Sequence, residues 1–220
     1  MLPPYVVGPL PYWQPTPPAF APPLFRQFAT MTPWTMSSPS QFLLGPPPAL
    51  KSARYAADFN ETKTLGNAAT ATPENVATAR FWNGAPGADT VATMWNRAAT
   101  DLADAYPTSL VENARRFPRL NVATADAVMA IWNAKNTYNA WRPITAIQHA
   151  DIDGNGATTT DPTWTPLLVT PAHQEYPSGH SGVSSAAATA LTSTFGDDTP
   201  FSMTSHRERL SGHAYARARA

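Results

Sequence analysis

Cysteine is absent from this 220-residue chain. That absence excludes disulfide scaffolds, thiol nucleophiles and cysteine-ligated zinc or iron–sulfur sites. A chain without cysteine is also comfortable outside the cytoplasm. An excess of charge of either sign is missing too, with 15 Lys and Arg against 15 Asp and Glu. A nucleic-acid or anionic-membrane binder normally shows a basic excess, so the balance argues against both partners. Charged residues make up only 14% of the chain and hydrophobic ones 43%, a mixture that argues against global disorder. Long apolar runs are lacking as well. The first 50 residues carry one charge, Arg26, but nine prolines between Pro3 and Pro23 prevent a spanning helix. There is no basic start and no uninterrupted apolar centre, so no secretory signal is visible.

What is present is organised in two styles. Fourteen of the 24 prolines lie in the first 48 residues, beside Tyr5, Tyr12, Trp13, Phe20, Phe25, Phe28, Trp34 and Phe42. Linkers are poor in aromatics, so residues 1–49 read as extended chain docked on a helical body through its rings. From about residue 50 the chain is Ala-rich and reads as helices. Leu50, Arg54, Tyr55 and Phe59 recur at helical spacing. Thr72-Pro73-Glu74 opens a helix that runs through Trp82 to Gly84. Asp89 to Tyr106 is another, stopped by Pro107, and a long one is predicted from about Asn121 to Trp141. Residues 150–177 form a turn-rich loop with four prolines, and Ser178 to Thr194 is the last helix. The length suits one domain able to bury roughly 70% of its unfolded surface. The reading is a single all-α helical bundle over 1–220, with a Pro-rich extended N-terminal segment.

Two stretches carry chemistry. In Pro177-Ser178-Gly179-His180-Ser181, Ser178 is a natural N-cap and Gly179 lets a ligand approach the backbone. The free N–H groups and positive end of the helix that follows suit an oxyanion. His180, in the first turn, can donate or accept a proton near neutral pH. Taken alone, the stretch is more often an ordinary cap with an exposed histidine. The second stretch is Lys135 to Pro143. Read as one helix, it puts Lys135 and Arg142, seven residues apart, on a shared face. Two cations there repel unless an anion or an acidic partner sits between them. The bland alternative is a solvated basic stripe, which Trp132, Tyr138 and Trp141 on the same segment disfavour.

K-x6-R-P followed downstream by P-S-G-H resembles the signature of the superfamily uniting vanadium-dependent haloperoxidases with type 2 phosphatidic acid phosphatases. The surrounding text, Ala-Trp-Arg-Pro-Ile-Thr-Ala-Ile and Tyr-Pro-Ser-Gly-His-Ser, is similar to its soluble bacterial haloperoxidase-like branch. The resemblance covers about residues 10 to 205. It implies a helical bundle of the acid phosphatase/vanadium haloperoxidase type holding an oxyanion between helices. It implies that Lys135, Arg142, the Ser178 hydroxyl and the Gly179 N–H bind oxygens of vanadate or phosphate, with His180 as the catalytic acid–base. The substrates implied are halide and hydrogen peroxide with a vanadate cofactor, or a phosphomonoester with none. An extracytoplasmic or secreted place of work is implied too.

One element of the family pattern departs. Its third motif, S-R-x5-H-x3-D, supplies the vanadium-ligand histidine or phosphatase nucleophile. Here Arg207 and His213 keep the R-x5-H spacing, but His206 stands for the serine and Arg217 for the aspartate. The axial ligand is therefore not identified, and 206–220 reads as an atypical tail. The chain is expected to be cut short or frameshifted near residue 206, with an internal start. A bundle short of a helix exposes apolar faces, which predicts aggregation or dimerisation. An inactive oxyanion-binding fragment is the alternative reading from outside catalysis.

Other patterns are weaker. Asp151, Asp153 and Asn155 open like a calcium-binding loop, but Pro162 stands where its last glutamate belongs. A turn held by Asp and Asn side chains is favoured. Gly179-His180-Ser181-Gly182-Val183 misses the nucleophile elbow at its last glycine. His149 and His173 read as satisfied loop or helix-end histidines, and Trp82, Trp95, Trp132 and Trp141 as core.

Overall fold

Local capping chemistry sets most of the helix starts. The computed structural model describes residues 5–83, 89–203 and 217–218. Six α-helices lie among them. Helix α1 (Ala53–Leu65) begins where the Ser52 hydroxyl accepts the Tyr55 N–H. Helix α2 (Pro73–Trp82) begins at Thr72, whose hydroxyl accepts the Asn75 N–H, with Pro73 in the first position as predicted. Helix α3 (Val91–Ala105) is capped by Thr90 and ends just before Pro107. Asp89, expected inside α3, instead precedes it and pairs with Arg97.

Helix α4 (Leu110–Tyr138) departs from the prediction at both ends. It starts at Leu110 rather than Asn121. The Ser109 hydroxyl accepts the Glu112 N–H while the Glu112 carboxylate accepts the Ser109 N–H. This reciprocal cap nucleates the helix upstream of Pro118, which the helix then absorbs. At the other end α4 stops at Tyr138, because Asn139 turns left-handed at φ 48°. Arg142 is extended (φ −82°, ψ 154°), as a residue before proline must be, and precedes the short helix α5 (Pro143–Gln148). Lys135 and Arg142 therefore do not share a helix face. They stand on either side of a helix break. Helix α6 (Gly179–Phe195) starts at Ser178, whose hydroxyl accepts the Ser181 N–H.

The chain forms two compact units that interleave along the sequence. The first comprises Met1–Met31, Phe42–Ala79 and Trp132–Pro177. Its core is Phe59, Trp141, Ile144, Ala146, Ile147, Ala150 and Trp164, where α1 meets α5. The second comprises Thr32–Gln41, Arg80–Ile131 and Ser178–Ala220. There α3 packs on α6 through Met94, Trp95, Ala98, Leu102, Ala187, Ala190 and Leu191. Small residues let α6 come close: a Cβ on Gly182 would lie 2.5 Å from Ile131 Cδ1. A two-residue pairing of β1 (Phe201–Ser202) with β2 (Arg217–Ala218) completes this unit.

The Pro-rich segment contributes to both units. In the first, Trp13 is wholly buried and its backbone N–H donates to the Asn139 carbonyl at 2.9 Å. The Tyr5 hydroxyl donates to Asn139 Oδ1 at 2.8 Å, and Phe25 and Phe28 set their rings edge-on to Trp132. In the second, the N–H groups of Trp34, Thr35 and Met36 and the Thr35 hydroxyl all donate to the buried Asp126 carboxylate. Burial alone would raise that carboxyl's pKa. The hydrogen bonds from Thr35, Trp34 and Met36 outweigh it and hold the group below its ordinary value. Phe20, Trp34 and Phe42 keep their rings exposed.

Candidate oxyanion site

The helix break at Asn139 places the two motif cations on one loop. Lys135, in the last turn of α4, is 1% exposed. Its Nζ donates to the Gln174 carbonyl at 2.6 Å and the Glu175 carbonyl at 2.9 Å. The Trp132 ring lies 5.9 Å from the ammonium. Arg142, 8% exposed, reaches the same loop. Its Nη1 donates to Glu175 Oε2, and its Nη2 to the Pro171 carbonyl at 3.0 Å. Nη2 also lies 2.9 Å from His173 Nδ1, to which a guanidinium can only donate. Arg142 Nε is buried and has no hydrogen-bond partner among the described residues.

This is no solvated basic stripe. The acidic partner is Glu175, whose side chain remains 42% exposed. Sequence reading left anion and acidic partner open and did not single out Glu175. The available signal was a lone carboxylate three residues before the Ser178 cap. Burial, and next the Arg142 charge, bring the Lys135 ammonium down from its ordinary 10.5 to about 7, against the opposing pull of Glu175. Near neutral pH Lys135 thus lies close to the midpoint of its titration.

Ser178, Gly179 and His180 lie in the second unit. The Ser178 hydroxyl accepts the Ser181 N–H and keeps a hydroxyl proton to donate. His180 Nε2 lies 2.6 Å from the Trp82 carbonyl. A carbonyl only accepts, so this nitrogen carries the proton and Nδ1 is left as the basic atom unless the ring is cationic. Arg207 and His213 lie outside the described residues.

The 151–155 loop is organised around its own hydrogen bonds. The buried Asp153 carboxylate accepts the Asn155 N–H and the Thr158 hydroxyl, both at 2.7 Å. Asn155 Nδ2 donates to the Leu50 and Ser52 carbonyls, and Asp151 is exposed. Among the described residues no three His, Asp or Glu side chains gather as a metal site. His149 is exposed, whereas His173, expected to be an ordinary loop histidine, sits against Arg142.

Comparison with known proteins agrees with the fold. A family model described as the VCPO second helical-bundle domain matches residues 115–216. That span includes Lys135, Arg142 and the Ser178–His180 motif. The crystal structure of a bacterial vanadium-dependent iodoperoxidase superposes with a TM-score of 0.78 at 29% identity. The alignment covers 100% of this chain and 53% of that one, so the present chain spans about half of the relative's length. No curated protein matches the chain. A helical bundle with paired buried cations ahead of a Ser-capped helix defines the class. In fold and in these motifs the chain is similar to the vanadium haloperoxidase superfamily.

Proposed function

We propose that the chain binds vanadate or phosphate, and that its activity is haloperoxidase-like oxidation of halide by hydrogen peroxide. One observation carries this reading. Lys135 and Arg142 are buried together, and Arg142 retains a buried N–H without a partner. A buried cation that lacks full compensation is costly, and an oxyanion supplies what is missing. Two cations and an orphaned guanidinium N–H are the donor set that such a group takes. By its match to the P-S-G-H motif, the Ser178–His180 stretch carries the proposed roles of oxyanion donors (the Ser178 hydroxyl and the Gly179 N–H) and of proton-transfer residue (His180). Vanadate, when bound, supplies the Lewis acidity that activates hydrogen peroxide toward halide. Arg142 orients the oxyanion through its fork, Lys135 neutralises charge, and the loop 171–175 closes over both cations. The histidine that would ligate vanadium is not identified in this chain. An extracytoplasmic place of work is part of the proposal. So is self-association, which a monodisperse monomer in light scattering would exclude.

Turnover is the test. Vanadate-dependent halide oxidation is expected, and His180→Ala should lower it by about 100-fold or more, as loss of general acid–base catalysis does. Vanadate binding should persist in that variant. Phosphomonoester hydrolysis instead would favour the acid phosphatase alternative. Anion binding without either activity would favour a silent binding fragment.

The Lys135 titration gives an independent check. In the free protein Lys135 is largely neutral at pH 8, above its pKa of about 7. A bound anion raises that pKa, so binding at pH 8 should take up a proton. At pH 6, where Lys135 is already charged, that uptake should vanish. Calorimetry in buffers of different ionisation enthalpy reads the proton count. Lys135→Met should remove this contribution; unchanged uptake would show that Lys135 does not meet the anion.

A further inference from the structure

The first unit contains a cavity of about 480 Å³. Its walls include Tyr12, Tyr55, Phe59, Tyr138, Trp141 and Tyr176. Pro46, Pro47 and Pro48 form a strap along one side. None of these features is used by the oxyanion reading. The polar groups that reach the wall decide what the cavity can take. Prolines have no N–H to offer. The Tyr138 hydroxyl donates to the Leu44 carbonyl and the Tyr176 hydroxyl to the Gly45 carbonyl, which ties the strap down. The Tyr55 hydroxyl is buried and has no hydrogen-bond partner among the described residues. Asp58 and Glu175 bring carboxylates to the wall, whereas no Lys or Arg lines it. The cavity is therefore aromatic, without a cationic side chain on its wall, and supplied with acceptors.

We propose that this cavity binds a neutral aromatic molecule carrying an O–H or N–H donor, and that it rejects anions. The rings provide stacking area, and the donor is met by Glu175. Glu175 is also the carboxylate that pairs with Arg142. An oxyanion competing for Arg142 frees Glu175 toward the cavity. The two ligands should then strengthen each other's binding, and by the same factor. This coupling rests on the vanadate reading, whereas binding in the cavity does not.

The test is calorimetric titration of the whole chain with 2-naphthol, 2-methylnaphthalene and 2-naphthoate. The expected result is saturable 2-naphthol binding, at least tenfold weaker binding of the methyl compound, and none of the carboxylate. Ala49→Trp, an exposed strap position on the cavity wall, should abolish 2-naphthol binding without altering the circular dichroism spectrum. Glu175→Gln should weaken 2-naphthol about fivefold or more and leave 2-methylnaphthalene unchanged. Vanadate should tighten 2-naphthol in the wild-type chain. Naphthoate binding as tight as naphthol, or naphthol binding that survives Ala49→Trp, would overturn the proposal. Naphthol binding with no vanadate binding would overturn the oxyanion reading and leave the cavity site standing.

Discussion

Arg142→Ala is expected to weaken orthovanadate binding by roughly 30- to 1,000-fold, about 2–4 kcal/mol, the worth of two charge-assisted hydrogen bonds. The effect should be this large because the guanidinium is only 8% exposed and one of its N–H groups is already without a partner. Little solvent is present to screen the loss. The same substitution also releases the Pro171 carbonyl, Glu175 and His173, so the loop could loosen for structural reasons. Two companions separate these causes. Glu175→Gln removes the ion pair but leaves the oxyanion donors in place, and should bind vanadate at least as well as wild type. Arg142→Lys keeps the charge but loses the fork and should recover only part of the affinity. Calorimetric titration reads all three. Full binding by Arg142→Ala would remove this residue from the site.

Trp13→Ala is expected to destabilise the chain by about 3–5 kcal/mol, the usual cost of truncating a buried aromatic. That is a large share of the roughly 5–15 kcal/mol that typical domains possess. Trp13 lies in the Pro-rich stretch whose aromatic residues predict docking on the helical body, and it is 0% exposed. Its ring meets Tyr5 edge-on at 5.5 Å and is lost on truncation, whereas the bond from its backbone N–H to the Asn139 carbonyl is available to alanine too. Trp34→Ala is the control, since that ring is 73% exposed and should cost less than about 0.5 kcal/mol. Urea unfolding compares the two. If both variants unfold at the wild-type midpoint, the Pro-rich segment is ornament and not core.

Much of this molecule follows from local chemistry. Ser52, Thr72, Thr90 and Ser178 each cap a helix because a short hydroxyl side chain reaches the N–H three residues on. The charge balance, the missing cysteine and the proline run bounded the protein class without any fold. The two motifs announced an oxyanion chemistry by residue type and order. The start of α4 was also local, in Ser109 and Glu112, but Pro118 concealed it by reading as a breaker.

The arrangement of the cations was decided elsewhere. Lys135 and Arg142 read as neighbours on one helical face, and a continuous helix would have placed them there. The break at Asn139 depends on Tyr5, 134 residues away in sequence, and on Trp13. Their hydrogen bonds hold Asn139 in a left-handed conformation that its own sequence tolerates but does not impose. Arg142 then turns to Glu175 and the Pro171 carbonyl, and Lys135 to the Gln174 and Glu175 carbonyls. Residue type specified that cations were available, because charge and donor geometry belong to the side chain. Tertiary structure chose their partners and their burial, because both are set by contacts between segments far apart in the chain.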